Sequence, residues 1–377
     1  MLTIYLHELQ DQLRSLRFQV SLLVLLLFFV ANGVIYTMKM GRDVEETARV
    51  TAAVEDQLAE AENLNEAVDH WHRAIGKAVG TEFITEGGFN WFTDVKWINI
   101  SSGIGMIGGN RARTTNSWMR RFEVVDWTVV VRLVVSFLCV VLAYDAISGD
   151  LERGTLRLAM ANPISRGSVL LGRMLAQWTS LMVSVAVGAA VSLLILVING
   201  VLMLDGLIAG ALLLFLVGTG TYVAFFLLLS MGVSAIMRNS ASSLVVMIMA
   251  WAVLTVVVPQ TAYLVGSSQA QVAEFTDEDA WDRGWQLRQD TEEALARDGI
   301  VPREPGAAQV DNYAKERKFA QALADVEKDQ SRLMRTDEAV ALKQYQAARM
   351  VNLLSPGYAY QYSVEAFLGT GLIRRQD

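Results

Sequence analysis

Long apolar runs set the first limit on this chain. Five of them, at about 18–38, 125–147, 175–198, 204–236 and 242–263, each supply the roughly 20 apolar residues that a helix needs to cross about 30 Å of hydrocarbon. Over the whole chain 53% of residues are hydrophobic and 19% are charged, and the charges fall in blocks between the runs. That distribution excludes an ordinary soluble domain, where about a quarter of residues are charged. The fourth run is long enough to tilt or to extend past the bilayer, and Pro259 predicts a kink or a stop near the end of the fifth. The first run has no small-x-small cleavage site and follows an amphipathic segment, so it reads as a retained anchor. The single cysteine, Cys139, lies within a run and reads as a small buried apolar residue; no disulfide within the chain can form.

Orientation follows from the short loops. With the N-terminus inside, residues 1–17, 148–174 and 237–241 carry seven arginines against four acids. The two long polar blocks, 39–124 and 264–377, carry 13 acids against 10 bases and 19 against 14. Positive short loops on one side predict a cytoplasmic N-terminus with both long blocks outside.

Residues 42–78 contain no proline, and Val44, Ala48, Thr51, Val54, Leu58, Ala61 and Leu64 recur at helical spacing, which predicts one long amphipathic helix. Past Gly80 the texture changes to short strands and loops. The second block predicts helices at about 277–298 and 309–350, separated by a stretch with Pro302 and Pro305. His70-Trp71-His72 raises a metal site, but on a helix residues two apart face different ways and no third ligand is near, so none is assigned. The tryptophans, Trp127 among them, read as interfacial or core aromatics.

The chain has no G-x-x-x-x-G-K-[ST] phosphate loop, nucleophile elbow, HExxH or paired-cysteine motif. Its most distinctive segment is 149–173. Asp150 and Glu152 suit a first helical turn, where the helix dipole favours negative charge. Leu151, Thr155 and Leu158 then share a face, Asn162-Pro163 ends the short helix, and Ser165 is placed to cap the next one. The pattern predicts a short amphipathic helix lying across the cytoplasmic mouth between two spans.

Glu152-Arg153-Gly154-Thr155-Leu156, Pro163-Ile164-Ser165-Arg166 and Leu170-Leu171-Gly172-Arg173 resemble the first cytoplasmic loop of the ABC-2 type permeases. In the rough family pattern the acid stands one position further from the glycine, unless Asp150 is the match. Asp126-Trp127 and Tyr144-Asp145 resemble the family's second span. The subgroup it resembles has large extracytoplasmic insertions after the first and fifth spans.

The resemblance implies an all-α polytopic membrane protein, an ABC-2 (type V exporter-like) permease with mainly helical extracytoplasmic domains. It implies that Leu151, Glu152, Arg153, Gly154, Thr155, Leu156, Arg157 and Leu158 belong to a coupling helix that docks on an ATPase subunit. Leu6, Leu9, Leu13 and Leu16 would line an elbow helix along the inner surface. It also implies two ATPase subunits, a second permease subunit, and ATP and Mg on the ATPase, with no cofactor, metal or nucleic acid bound by this chain. Family members have six spans, so the reading expects a sixth beyond Asp377.

Within the runs, Arg132 lies about seven residues inside the second span, where a charge is costly and normally pairs or faces a cavity. Asp126 and Arg132 are a candidate intramembrane polar site, although six residues apart they are imperfectly placed on one helix. Gly206, Gly210, Gly218 and Gly220 predict close helix approach. Export or extraction of a substrate, and mechanical work on an extracytoplasmic partner protein, both remain open. The alternative class is a non-transport scaffold or receptor that recruits partners through its ectodomains; it leaves Gly154-Thr155-Leu156 unexplained.

Overall fold

The structure, a computed structural model, describes residues 2–61, 71–75, 80–86, 95–99, 104–106, 125–154, 165–269, 277–300 and 313–370. The chain opens with α1 (Leu2–Arg14) and then α2 (Leu16–Glu60), separated by Ser15, whose hydroxyl caps α2 by accepting from the Phe18 amide. The second span is α3 (Trp127–Glu152), which contains a π turn at Val130–Val135. The third is α4 (Arg166–Ile198), capped by Ser165, and the fourth is α5 (Gly206–Ile236), capped by Asp205. The fifth, α6, begins at Ser240, passes through a π turn at Val253–Val257 and continues to Gln269. Then come α7 (Asp277–Arg297), α8 (Tyr313–Asn352) and α9 (Pro356–Leu368). Among the described residues five helices, α2 to α6, are long and apolar enough to cross a membrane. The end of the bundle at α1 is called here the α1 end, and the opposite end the far end.

Two expectations are corrected. The long helix after the first span stops at Glu60, and Trp71–Ile75 forms a strand, β1. It pairs antiparallel with β2 (Val95–Asn99), which pairs antiparallel with β3 (Ile104–Met106). Aromatic and β-branched residues favour such pairing, and here they override the helical periodicity upstream. The helical argument against the histidine pair therefore does not apply at His72, and His70 lies outside the described residues. Second, of the kink or stop expected at Pro259, the stop is not found: the helix runs on to Gln269. Proline has no N–H to give the preceding turn, and the π turn at Val253–Val257 sits just where that bond is lost, so the helix runs on.

The spans pack through small residues and a few large aromatics. A Cβ added at Gly188 on α4 would lie 2.5 Å from Phe29 Cδ2 on α2, and one at Gly33 would lie 3.1 Å from the Ser192 carbonyl. These two glycines let α2 and α4 approach closely. On α5, Gly220 faces Trp178 and Gly218 faces Tyr360 and Val364, whereas nothing lies near Gly206 or Gly210. Leu23, Leu27, Val183, Val187, Leu213, Val217, Val245 and Met249 face outward. In a bilayer these side chains meet lipid, which is as apolar as they are.

At the far end the segment 81–86 is buried inside the bundle, residue by residue. Its carbonyls are used: Asn32 donates to Phe83 O (3.3 Å) and Val125 O (2.6 Å), the Trp127 amide donates to Phe83 O (3.2 Å), and the Thr128 amide donates to Ile84 O (3.0 Å). Glu86 accepts from Tyr36 (3.1 Å) and pairs with Lys39. Behind it, fully buried Trp127 meets Phe29, Phe83 and Phe215 with centroids 5.6, 5.0 and 5.2 Å away, and its indole donates to Asn32 Oδ1 (2.9 Å) and Ser192 Oγ (3.1 Å). Three spans and one loop converge on this hub.

Candidate functional site: the polar junction at the α1 end

The last turn of α3, Ser148–Glu152, is a short helix with Asp150 in its first turn. Its position is fixed from below by α5 and α6. The Ser234 hydroxyl accepts from the Ile147 and Ser148 amides, both at 3.0 Å, and bonds the Ser148 hydroxyl at 3.1 Å. Ser243 on α6 donates to the Tyr144 carbonyl at 2.6 Å. Serines are suited to this work: a small hydroxyl satisfies amides freed at a helix junction without demanding volume.

Charge then ties the junction to α1 and α4. Arg173, about two turns into α4, reaches Glu8 on α1 at 2.8 Å and Asp150 at 2.5 Å, and donates to the Ala146 carbonyl at 2.5 Å. Its side chain is 20% exposed and that of Asp150 14%, so the Arg173–Asp150 pair is largely shielded from water. Such partly buried, charge-assisted bonds exceed exposed pairs in strength. A second tie joins Arg17 to Asp145 at 2.8 Å, with the guanidinium over the Tyr144 ring at 5.4 Å. The α1 helix also lies directly on α4: Ile4 packs against Gly172, and the Tyr5 hydroxyl meets Thr179 at 3.2 Å.

What the junction leaves uncovered is informative. Leu151, Glu152, Arg153 and Gly154 are all exposed. Leu151 points an apolar side chain outward beside two charged residues. Glu152 accepts from the Ser240 amide (3.1 Å) and hydroxyl (2.8 Å) at the start of α6, while Arg153 folds back to Gly149 O (3.0 Å) and Asp150 (3.4 Å). An exposed strip is thereby held rigid by four helices. The expected short helix running from Asp150 past Leu158 is corrected here: the helix is the end of α3, it stops at Glu152, and Gly154 takes a left-handed φ of 74° that a continuing helix does not allow. Thr155, Leu156, Arg157 and Leu158 lie outside the described residues, as does Asn162-Pro163.

A family model described as "ABC-2 family transporter protein" matches residues 2–376. The chain belongs to the ABC-2 family of transporter proteins. It is a transmembrane permease of the ABC transporter type, embedded in the membrane as a multi-pass helical protein, and its family works with an ABC ATPase partner. No curated protein matches the permease.

The remaining sequence-derived sites are placed as follows. On α1, Leu6 and Leu13 are exposed and Leu9 is half-buried, while exposed Leu16 begins α2. Asp126 and Arg132 are not brought together. Asp126 is the buried cap of α3, accepting from the Val129 amide at 2.7 Å and the Glu86 amide at 2.9 Å. Arg132 instead reaches Gln361 on α9 at 2.5 Å. Sequence reasoning took Arg173 as the tail of a motif and passed over Glu8. The signal was present in their chemistry, an acid on one amphipathic helix and a base near the start of another, but the bridge depends on α1 lying along α4, which no local pattern encodes.

Proposed function

We propose that the permease couples ATP hydrolysis on a separate ATPase subunit to export or extraction of a substrate, with the α1 end facing the cytoplasm. The observation that carries this reading is the exposed strip Leu151–Gly154, pinned by Arg173 to both α1 and α4. A surface that receives a push must be exposed at its tip and rigid at its root, and this one is both. In this reading the segment 151–158 is the surface that meets the ATPase, with Leu151 and Glu152 at the end of α3, α1 is the elbow helix at the inner membrane surface, ATP and Mg sit on the ATPase, and two permease and two ATPase subunits make the complex. The blocks 39–124 and 264–377 then lie outside the membrane, except for the segment 81–86 and α9, which pack among the spans.

A mechanical variant has its own support. The 40-residue α8 leads directly into α9, which packs against α5 and the π turns of α3 and α6. A rod rooted in the bundle converts small movements of the spans into larger ones at its tip, where a partner protein would be acted on.

The test is purification under native conditions, followed by replacement of Glu152 with alanine. An ATPase chain should copurify, and Glu152→Ala should lower the hydrolysis rate of the assembled complex while leaving the permease folded, since Glu152 is exposed. Recovery of the permease with no ATPase, with the 151–158 segment intact, rejects the coupling reading. Transport of no solute or lipid in vesicles that still hydrolyse ATP favours the mechanical variant.

A further inference from the structure

Arg132 is a fixed cation with unused bonding capacity at membrane depth. It sits about one and a half turns into α3, counted from Trp127, within the π turn Val130–Val135. A guanidinium stays charged at any working pH and offers five N–H donors. Among the described residues its one side-chain acceptor is Gln361 Oε1 at 2.5 Å, its Nε is buried without a partner, and no carboxylate forms an ion pair with it. A charge left so at membrane depth is costly and marks a functional site.

The side chain is also held in place. A Cβ added at Gly357 would fall 2.7 Å from Arg132 Cγ and 3.1 Å from Cδ, so the start of α9 presses on the arginine stem. The guanidinium lies over the Tyr358 ring at 4.4 Å. The Arg132 carbonyl accepts from the Ser136 hydroxyl (2.5 Å) and the Tyr222 hydroxyl (2.9 Å), which anchors the backbone. Tyr222 in turn stacks on Tyr360 at 4.9 Å. Both π turns, that of α3 and that of α6, contact α9. Paired π turns around one short helix are a costly arrangement, and such turns gather at functional sites. Gln361 passes its other end to Glu365 (2.7 Å), so that carboxylate is held one amide away from the cation.

We infer that Arg132, with Gln361 and Tyr358, forms a binding site for the anionic headgroup of an amphiphile, a phosphate or carboxylate on an acyl chain, in the leaflet at the far end of the bundle. The depth suits a headgroup: the arginine lies within snorkelling reach of the interface. The headgroup supplies the missing acceptor in the bidentate geometry that guanidinium favours, and its chain lies against the apolar outer faces of the spans. The site does not depend on the coupling reading, because binding requires no ATPase.

The test uses the purified full-length permease in neutral detergent and measures retained lipid by native mass spectrometry. Phosphatidylglycerol and oleate are added separately, with phosphatidylcholine and inorganic phosphate as the other arms. Wild type should hold phosphatidylglycerol roughly tenfold or more tightly than R132Q does, and should prefer it to phosphatidylcholine. Q361E guards against a folding artefact. It is made on the E365Q background, where the amide at position 365 donates to the new carboxylate and avoids a like-charge pair. It places a carboxylate on the guanidinium, so it should fold as well as wild type and yet lose the lipid as R132Q does. E365Q removes the negative charge behind Gln361 and should bind at least as tightly as wild type. Equal retention by wild type, R132Q and Q361E overturns the proposal, as does loss in R132Q with full retention in Q361E. Inorganic phosphate protecting the site while phosphatidylglycerol fails to bind rejects the lipid. If Arg132 variants split a permease dimer without altering lipid retention, the missing acceptor is a carboxylate of the second copy and the proposal falls.

Discussion

Replacing Arg173 with methionine removes a guanidinium while keeping most of the apolar stem. Three bonds are lost at once. The Asp150 pair, with side chains 20% and 14% exposed, is worth roughly 1.5–3 kcal/mol as a hydrogen bond to a charged group. The Glu8 pair has one partner 36% exposed, which limits it to about 0.5–1 kcal/mol. The bond to the Ala146 carbonyl adds about 1 kcal/mol. The sum is about 3–5 kcal/mol, a large share of the stability of any membrane bundle. Arg153 does not replace the loss, because it meets Asp150 at 3.4 Å from a side chain 68% exposed. A double-mutant cycle in mixed micelles, unfolding with dodecyl sulfate, separates the terms. Arg173→Met against Asp150→Asn should show a coupling of about 1.5–3 kcal/mol, and Arg173→Met against Glu8→Gln about 0.5–1 kcal/mol. In the assembled complex the single variants Arg173→Met and Asp150→Asn should depress ATP hydrolysis to a similar extent, and the double variant should be no worse. A coupling near zero at Asp150, or strictly additive losses of hydrolysis, refutes the idea that Arg173 joins α1, α3 and α4 into one unit.

Two further outcomes follow from the packing. Asn32→Ala should lower the thermal aggregation temperature, since it removes a donor to the buried Phe83 and Val125 carbonyls and an acceptor for the indole, each such loss worth about 1–3 kcal/mol. Gly188→Ala should cost about 1–3 kcal/mol by forcing a methyl group against Phe29, and Phe29→Leu on the same chain should return at least half of it in the same melting assay.

Much of this was legible in the sequence because it is local. The spans declared themselves by apolar length, and Ser165 by its place before an apolar helix, where it accepts from the Ser168 amide at 3.2 Å. What stayed hidden was non-local. The segment 81–86 contains Thr81, Glu82, Thr85 and Glu86, a composition that reads as exposed, and it is buried because Asn32 and the start of α3 take up its backbone groups. Asn32 and Ser192, polar residues in the middle of apolar runs, were the available hint. The partner of Arg132 was hidden for the same reason: Gln361 follows it by 229 positions. It lies on a helix of 13 residues, too short to announce itself as part of a bundle.

The buried loop at the far end has a mechanical consequence. Its carbonyls are bonded to α2 through Asn32 and to α3 through Trp127 and Thr128, so those two helices cannot part there without stranding polar groups in an apolar interior. At the other end Arg17 and Asp145 join the same two helices again. Tied to each other at both ends, α2 and α3 favour moving as one body, and the seams left to open are those on the other flank of α3, where α9 is wedged.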